Sequence, residues 1–456
     1  MAATKLLTQR LTGLENFGHS IRRPVYLFRP TQVEQVAKLL ELANREEVLV
    51  GLRGAGRSYG DAAMTGGGIV LDFGRMNRIL DWNPETGVIT VEPGVTIEQL
   101  WRHILEDGWW SPVMPGTMFP TIGGCLGANV HGKNNWKAGT MGEHVLSFTA
   151  LLPNGEEVTC TPTENKDLFY AIISGMGLLG VFTSITMQMK RVYSGDLEVN
   201  AWAEPNMTRM LAATDANKEE DYIVGWVDST ARRGLGRGQM HSARYLTEGE
   251  DANSARTLNP NHQDLPDTIM GLVPKSIVWR FLRLGLNNPG AWAGNLAKYL
   301  LNRTLGNHKQ YKQSLVAFTF LLDYVPNWER AYGKGGLIQY QSFVPIDSAE
   351  ETFTRILRHS QRRGLPSYLG VMKRHRPDHF LFSHAVDGFS LALDFKVPAR
   401  RQAKLVKMLS ELNQIVLEGN GRFYFAKDSA LTPDVVQAYL GEETVGDGGQ
   451  IPDAQE

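Results

Sequence analysis

Cysteine is nearly absent from this chain: its 456 residues hold only Cys125 and Cys160. They form neither a CxxC pair nor a disulfide framework, the pattern of a chain kept reduced. Long apolar runs are missing too. No stretch approaches the ~18 uninterrupted apolar residues of a membrane-spanning helix, and the opening MAATKLLTQRLTGLENFGHS lacks the apolar centre of a signal peptide. Nor does one sign of charge prevail. Lys plus Arg number 47 against 48 Asp plus Glu, a formal net charge of −1, so no global field draws nucleic acid. These absences predict a cytoplasmic protein, soluble or resting on a membrane surface, with no nucleic-acid partner and no bound metal.

What is plentiful is glycine (47) and tryptophan (10), within a length of 456 that favours two domains. A strand-like VYLFRP precedes TQVEQVAKLLELANRE, which is helical in its apolar spacing, with Thr31 as its expected N-cap. GIVLDFGRMNRIL and GVITVEPGV alternate as strands, TIEQLWRHILEDG reads as a helix, and TALLPNGEEVTC as a hairpin with Asn154-Gly155 at its tip. Residues 1–195 therefore read as one α+β unit. From 196 to 415 the strands lengthen (DYIVGWVD, LIQYQSFVP, FSLALDF) and two helices are expected, over 348–363 and 399–418: an antiparallel sheet covered by helices. The chain from 416 to 456 is expected to return to the first unit and to end in a disordered acidic tail.

Residues 268–322 contain no Asp or Glu but seven basic residues, Lys275, Arg280, Arg283, Lys298, Arg303, Lys309 and Lys312. Apolar side chains such as Trp279, Phe281, Leu284 and Trp292 lie between them. Two readings stay open: an amphipathic stretch on an anionic membrane surface, or a lid packed on its own domain.

Three glycine-rich segments carry the chemistry. Arg53-Gly54-Ala55-Gly56-Arg57-Ser58-Tyr59-Gly60-Asp61 can turn successive N–H groups toward one anion. It is neither a GxGxxG fingerprint, since Tyr59 stands where glycine is needed, nor a P-loop, since no GK[ST] follows. Pro115-Gly116-Thr117 and the run from Thr121 to Asn134 (TIGGCLGANVHGKN) interleave glycine with small residues, as a backbone lying against a flat ring would. Ser174-Gly175-Met176-Gly177-Leu178-Leu179-Gly180-Val181 is the third.

RGAGRSYGD, PGTxxxTIGG, HGKN and GxGLLGV resemble the PCMH-type FAD-binding domain of the vanillyl-alcohol oxidase superfamily. Trp226, LLDYVPNWERAYG, Gln339-Tyr340-Gln341, Lys373, LALDF and YFAKDS extend the likeness to its decaprenylphosphoryl-ribose oxidase branch, the flavin halves of an epimerase. The resemblance implies a two-domain α+β fold and an FAD-dependent oxidoreductase. FAD contacts are then expected at Arg53, Gly54, Ala55, Gly56, Arg57, Ser58, Tyr59 and Gly60; at Gly116, Thr117, Thr121, Gly123, Gly124, Cys125, Ala128, Asn129, His131 and Gly132; and at Gly177, Val181, Phe182 and Tyr424. Arg57 stands where many members carry a flavin-linked histidine, which implies non-covalent FAD.

Oxidising an alcohol also needs a group to take the hydroxyl proton. Lys427 is the first choice for that or for orienting the substrate, His131 is the rival base, and Tyr59 faces the same side. Lys133, Trp226, Gln339, Gln341, Lys373, Ser390 and Lys427 are expected to hold the substrate. The blander readings are an ion pair of Lys427 with Asp428, a His131 that only buttresses its loop, a half-exposed polar sheet face, and a solvated basic loop at Lys373-Arg374-His375-Arg376. The branch's pocket cysteine is Ala392 here, its neighbouring Asn is Ser390, and a pocket tyrosine is Thr319, so the sugar is open. The reading is oxidation of a sugar or lipid-linked sugar hydroxyl, with an NAD(P)H-dependent reductase as the implied partner. Its rivals are a soluble alditol oxidase using oxygen, a flavin-dependent double-bond reductase, and a flavin-binding protein without turnover.

Overall fold

The computed structural model describes residues 9–269 and 271–441; the acidic tail singled out above lies, beyond Gly441, outside them. β1 (Leu11–Glu15), β2 (Arg22–Phe28), β3 (Val50–Arg53) and β4 (Ile69–Asp72) form a sheet ordered β1-β2-β4-β3, with β2 and β3 parallel to β4. A parallel pair needs a crossover, and α1 (Val33–Arg45) supplies it, burying Val36, Leu40 and Ala43 against Ile69 and Leu71. Thr31 does not cap α1. The N-cap is Gln32, whose side chain makes no capping bond, while the Thr31 N–H and hydroxyl donate to Gln35 Oε1 at 2.9 and 3.4 Å.

A second, antiparallel sheet combines β5 (Ile79–Asn83), β6 (Val88–Val91), β7 (Val145–Leu151), β8 (Glu157–Cys160) and β9 (Val181–Gln188) in the order β5-β6-β9-β7-β8. β7 and β8 are the expected hairpin, with Gly155 at φ 86° in its turn. α2 (Ile97–Ile104) starts at a capping box: Thr96 Oγ1 accepts from the Gln99 N–H at 3.1 Å, and Gln99 Oε1 accepts from the Thr96 N–H at 2.9 Å. α3 (Ile122–Gly127) is capped by Thr121 alone, whose hydroxyl oxygen accepts from the Gly124 N–H at 3.3 Å.

The third sheet has eight antiparallel strands: β10 (Asp196–Glu204), β11 (Tyr222–Val227), β12 (Gly238–Tyr245), β13 (Lys309–Ser314), β14 (Leu337–Pro345), β15 (Gly370–His375), β16 (Gly388–Lys396) and β17 (Arg422–Phe423). Their order is β13-β10-β12-β11-β15-β16-β14-β17. The basic segment between β12 and β13 forms α4 (Lys275–Gly285) and α5 (Asn288–Thr304). α6 (Ile346–Arg362) and α7 (Gln402–Glu418) are the two helices expected from the sequence. α6 begins two residues early, directly after Pro345, and α7 three residues late, after a turn in which the Arg401 N–H meets the Pro398 carbonyl. Both pack on one face of the sheet, where Phe353, Ile356, Leu405 and Leu412 meet Tyr340, Leu391, Leu393 and Phe395. Strand side chains alternate in direction, so the residues between those, Gln339, Gln341, Ser390, Ala392 and Asp394, point to the other face. The architecture is mixed α+β. The segment after α7 belongs to both ends of the molecule. Arg422 and Phe423 pair with β14, Val435 enters the core under α6 and α7, and the stretch between reaches back to Tyr59.

Candidate active site

A cavity of about 500 Å³ lies between the three glycine segments and the polar face of the large sheet. Its first wall is backbone and small side chains: Arg53 to Tyr59, Gly116 and Thr117, Thr121, Gly123, Gly124, Cys125, Ala128, Gly177, Val181 and Phe182. Gly54 is compulsory there, because a Cβ would sit 2.0 Å from Thr121 Oγ1. Gly56, at φ 65°, turns the chain back over the Arg53 guanidinium. Among the described residues neither Arg53 nor Arg57 has an ion-pair partner. Arg53 donates to the Glu15 carbonyl at 3.3 Å, and Arg57 lies over Phe17 and Phe119 with its Nε unpartnered. Burial pushes both guanidinium pKa values down. Two guanidiniums without an ion pair, beside a glycine turn, fit the diphosphate of FAD.

Three residues expected at the cofactor stand behind this wall instead. Gly60 packs on Asp428, where a Cβ would lie 1.3 Å from its Oδ1. Asn129, fully buried at φ 41°, accepts from the Gly142 N–H at 2.9 Å and braces the loop. Gly132 is hemmed in by the Asn134 side chain, 2.4 Å from a built Cβ.

The opposite wall is the polar sheet face. Gln339 and Gln341 on β14, Lys373 on β15, Ser390 and Ala392 on β16 and Trp226 on β11 all line the cavity, together with Thr319. The basic run at 373–376 is not a solvated loop. β15 points Lys373 inward, whereas Arg374 pairs with Asp215 and Asp387, and Arg376, just past the strand, with Glu143. Lys427 makes no ion pair with Asp428 either. The Tyr59 N–H bonds the Ala426 carbonyl at 3.1 Å and Ser429 Oγ donates to the Tyr59 carbonyl at 3.1 Å, which sets Lys427 Nζ 3.6 Å from the centre of the Tyr59 ring. Tyr424 completes this side of the cavity.

Burial dominates the electrostatics. It lowers the pKa of Lys427 to about 7, against the raising effect of Asp394. It lowers Lys373 to about 8, and Lys133, which donates to the Phe318 carbonyl, to about 7. For fully enclosed Lys133 that shift is on the order of 5 kcal/mol, a cost an incoming anion would offset. His131 is held well below its ordinary value, by burial first and then by Lys373, His375 and His384. Both of its ring nitrogens are engaged, Nε2 by Gln341 Nε2 at 3.0 Å and Nδ1 by Lys373 Nζ at 3.5 Å. Among the described residues no set of His, Cys, Asp and Glu side chains is arranged to hold a metal ion.

Sequence reasoning passed over several groups. Asp394 accepts from Gln339 Nε2 at 2.6 Å, its Oδ2 has no hydrogen-bond partner, and burial raises its pKa. Its signal was present, since 390, 392 and 394 share one strand face. Asp323 ties LLDYVPNW to the flavin-side loop, accepting from Thr117 Oγ1 at 2.6 Å and from the Met118 N–H at 2.8 Å. Lys298, on α5, lies over the Trp226 ring at 4.1 Å, and burial of its amine lowers its pKa to about 8. The basic segment is thus a cover with two faces. Tyr299 and Ala291 are buried beneath α5, while Phe281, Leu284, Trp292 and Leu301 are exposed. No helix among the described residues is long and apolar enough to cross a membrane.

Residues 24–161 match the FAD binding domain family. The chain is 33% identical to the decaprenylphosphoryl-beta-D-ribose oxidase of Mycolicibacterium smegmatis over 393 residues, 85% of this chain and 82% of that protein. With two further relatives the likeness spans about a third of each chain. It is 32% over 165 residues with the L-gulonolactone oxidase of Bos taurus (36% of this chain, 37% of that one) and 31% over 173 residues with the D-lactate dehydrogenase of Anaerostipes hadrus (37% and 36%).

Proposed function

We propose that this chain, which belongs to the FAD-dependent oxidoreductase family of decaprenylphosphoryl-beta-D-ribose oxidase, oxidises a secondary hydroxyl of a pentose carried on a polyprenyl phosphate to the ketone. The observation that carries this reading is the charge of the cavity. Lys133, Lys373 and Lys427, with Lys298 at Trp226, line it, and among the described residues no carboxylate does; Asp394 stands behind the wall, accepting from Gln339. Such a wall favours a substrate with a phosphate over a free polyol, and Gln339, Gln341 and Trp226 suit sugar hydroxyls and a sugar face.

FAD, when bound, supplies the acceptor for the hydride. Arg53, Gly54, Gly56 and Arg57 would hold its diphosphate, and the backbone from Thr121 to Ala128 would lie along its ring. Lys427 takes the hydroxyl proton: lowered to about 7, its amine is free near neutral pH, where a general base is most effective. Asp394 faces the ammonium so formed. The sequence then divides into an N-terminal FAD unit and a substrate unit, and a reductase acting on the ketone would complete an epimerisation.

The test is the visible spectrum of the purified protein before and after acid precipitation, followed by anaerobic titration with a polyprenyl-phosphoribose analogue. Flavin released into the acid supernatant and bleached by the analogue is the expected result. Flavin left on the precipitate would overturn the non-covalent reading that Arg57 supports. A yellow protein that free alditols bleach and the analogue does not would overturn the substrate.

A polyprenyl substrate must come from a bilayer, and the outer face of α4 and α5 suits one. Phe281 and Leu284 are 61% and 78% exposed beside Arg280 and Arg283. The protein is expected to sediment with vesicles rich in anionic phospholipid at low salt and to be released at high salt. Phe281→Ser with Leu284→Ser should abolish sedimentation; a parent protein that stays in the supernatant at low salt would remove the membrane contact and leave the reaction standing.

A further inference from the structure

We propose that Ser390 and His375 are positioning residues: through Gln341 they fix which nitrogen of His131 bears its proton, and so keep Lys373 a charged donor in the cavity. The inference rests on the reaction proposed above, in which Lys373 meets the anionic group of the substrate.

Five side chains form one hydrogen-bonded line. Lys373 Nζ lies 3.5 Å from His131 Nδ1, and Gln341 Nε2 lies 3.0 Å from His131 Nε2 and 3.4 Å from Ser390 Oγ. Ser390 Oγ lies 2.8 Å from His375 Nε2. Strand register makes the line. Ser390 stands opposite Lys373 on β15 and Phe343 on β14, which leaves His375 and Gln341 as its diagonal neighbours on either side. His131, Gln341, Ser390 and His375 are all 6% exposed or less, so a donor turned away from the cavity must find a protein partner.

Counting donors decides the direction of the line, because the nitrogen and oxygen of an amide exchange by a half-turn. Suppose the Gln341 nitrogen faces His131. The neutral ring then carries its proton on Nδ1, against a lysine ammonium that has only donors. Ser390 donates to His375 Nε2, which puts the His375 proton on Nδ1, where no partner lies. With the Gln341 oxygen toward His131, both conflicts vanish. His131 Nε2–H and the Ser390 hydroxyl donate to Gln341 Oε1, and His375 Nε2–H donates to Ser390. His131 Nδ1 is left to accept from the Lys373 ammonium. Two groups are then without a protein partner. One is the lone pair of His375 Nδ1, and a buried orphan acceptor is cheaper than a buried orphan donor. The other is the Gln341 amide NH2, which this cavity-lining residue offers to the substrate.

The surroundings make this acceptor matter. Lys373 and His131 face Lys133 from the loop after α3, His375 from β15, His384 from the turn before β16, and Tyr424 and Lys427 from beyond β17. All are cationic or neutral. Burial already lowers Lys373 to about 8, and without a fixed acceptor at His131 Nδ1 it falls further.

The experiment uses the holoenzyme. Affinity for a polyprenyl-phosphoribose analogue is followed against pH, and ¹⁵N-histidine spectra read the tautomer of His131, assigned with His131→Ala. In the parent, affinity is expected to fall as Lys373 loses its proton near pH 8. In Ser390→Ala and His375→Phe that alkaline limb should move down by about one pH unit, a tenfold change in proton concentration, and the Nε2–H signal of His131 should give way to a tautomer mixture. Ser390→Thr, which keeps the hydroxyl, should retain the parental limb. Limbs and spectra that coincide with the parent in both variants would overturn the proposal, and Ser390→Ala alone decides if His375→Phe does not fold. Should the parent bind no analogue, the proposed reaction fails while the spectra still test the line.

Discussion

Replacing Lys427 with Met is expected to slow substrate-driven flavin reduction by about 10²–10⁴-fold, the span general-base catalysis contributes, while FAD stays bound. Methionine keeps most of the length of the side chain and removes the amine with its contact to the Tyr59 ring, while the backbone bond between Tyr59 and Ala426 should survive. The pH profile identifies the group. The free amine is the active form, so in the parent the reduction rate should rise as pH increases through about 7, and this limb should be missing from the variant. Asp394→Asn gives a second check of sign. Asp394 raises the pKa of Lys427, so its removal should move the limb to lower pH. Anaerobic stopped-flow absorbance reads all three, and a Lys427→Met enzyme reduced at the parental rate would sink the assignment. His131 is the weaker choice of base: both its nitrogens are engaged, and burial first, then the neighbouring Lys373, His375 and His384, disfavours protonation.

How far the sequence led depends on the range of the interactions involved. Helices and hairpins set by local rules were legible: the TIEQ helix with its capping box and the Asn154-Gly155 turn fall where short-range chemistry places them. The Thr31 cap failed for a local reason too, because Gln35 offers that residue a competing acceptor one turn on. The glycine segments were legible as anion cradles, and their meeting in one cavity followed from the resemblance rather than from spacing. Long-range register was not legible. The 373–376 run looks like a charged loop until β15 is paired with β11 and β16, which sends Lys373 and His375 to one face and Arg374 to the other. Lys298 was invisible for a similar reason. Composition shows that 268–322 is basic and apolar, but not that one face of α5 covers Trp226 while another meets solvent. Asp394 marks the middle ground: period two along LALDF aligns it with Ser390, yet only its pairing with Gln339 shows a carboxylate buried behind the cavity wall.

That convergence of glycine segments makes Gly54 the position where one methyl-scale change should do most damage to the cofactor site. A Cβ there would lie 2.0 Å from Thr121 Oγ1 and 3.2 Å from Thr121 Cβ. Thr121 cannot simply swing away, since its hydroxyl caps α3 through the Gly124 N–H. Gly54→Val must therefore push the first glycine segment from the second, at the place where Arg53 and Arg57 are set for the diphosphate. Overpacking of this kind costs about 1–3 kcal/mol, which corresponds to a roughly ten- to hundredfold loss of FAD affinity. The ratio of flavin to protein absorbance after purification, and fluorescence titration of the apoprotein with FAD, measure it. Gly294→Ala on α5, where an added Cβ meets nothing within 4 Å, is the control that should leave both unchanged. Thr121→Ala combined with Gly54→Val removes the nearest clashing atom and should recover part of the affinity, because the collision rather than any general loss of folding is the cause. A Gly54→Val protein that purifies with the parental flavin content would mean that the two segments do not close on the same diphosphate, and the reading of this wall as the FAD cradle would fall with it.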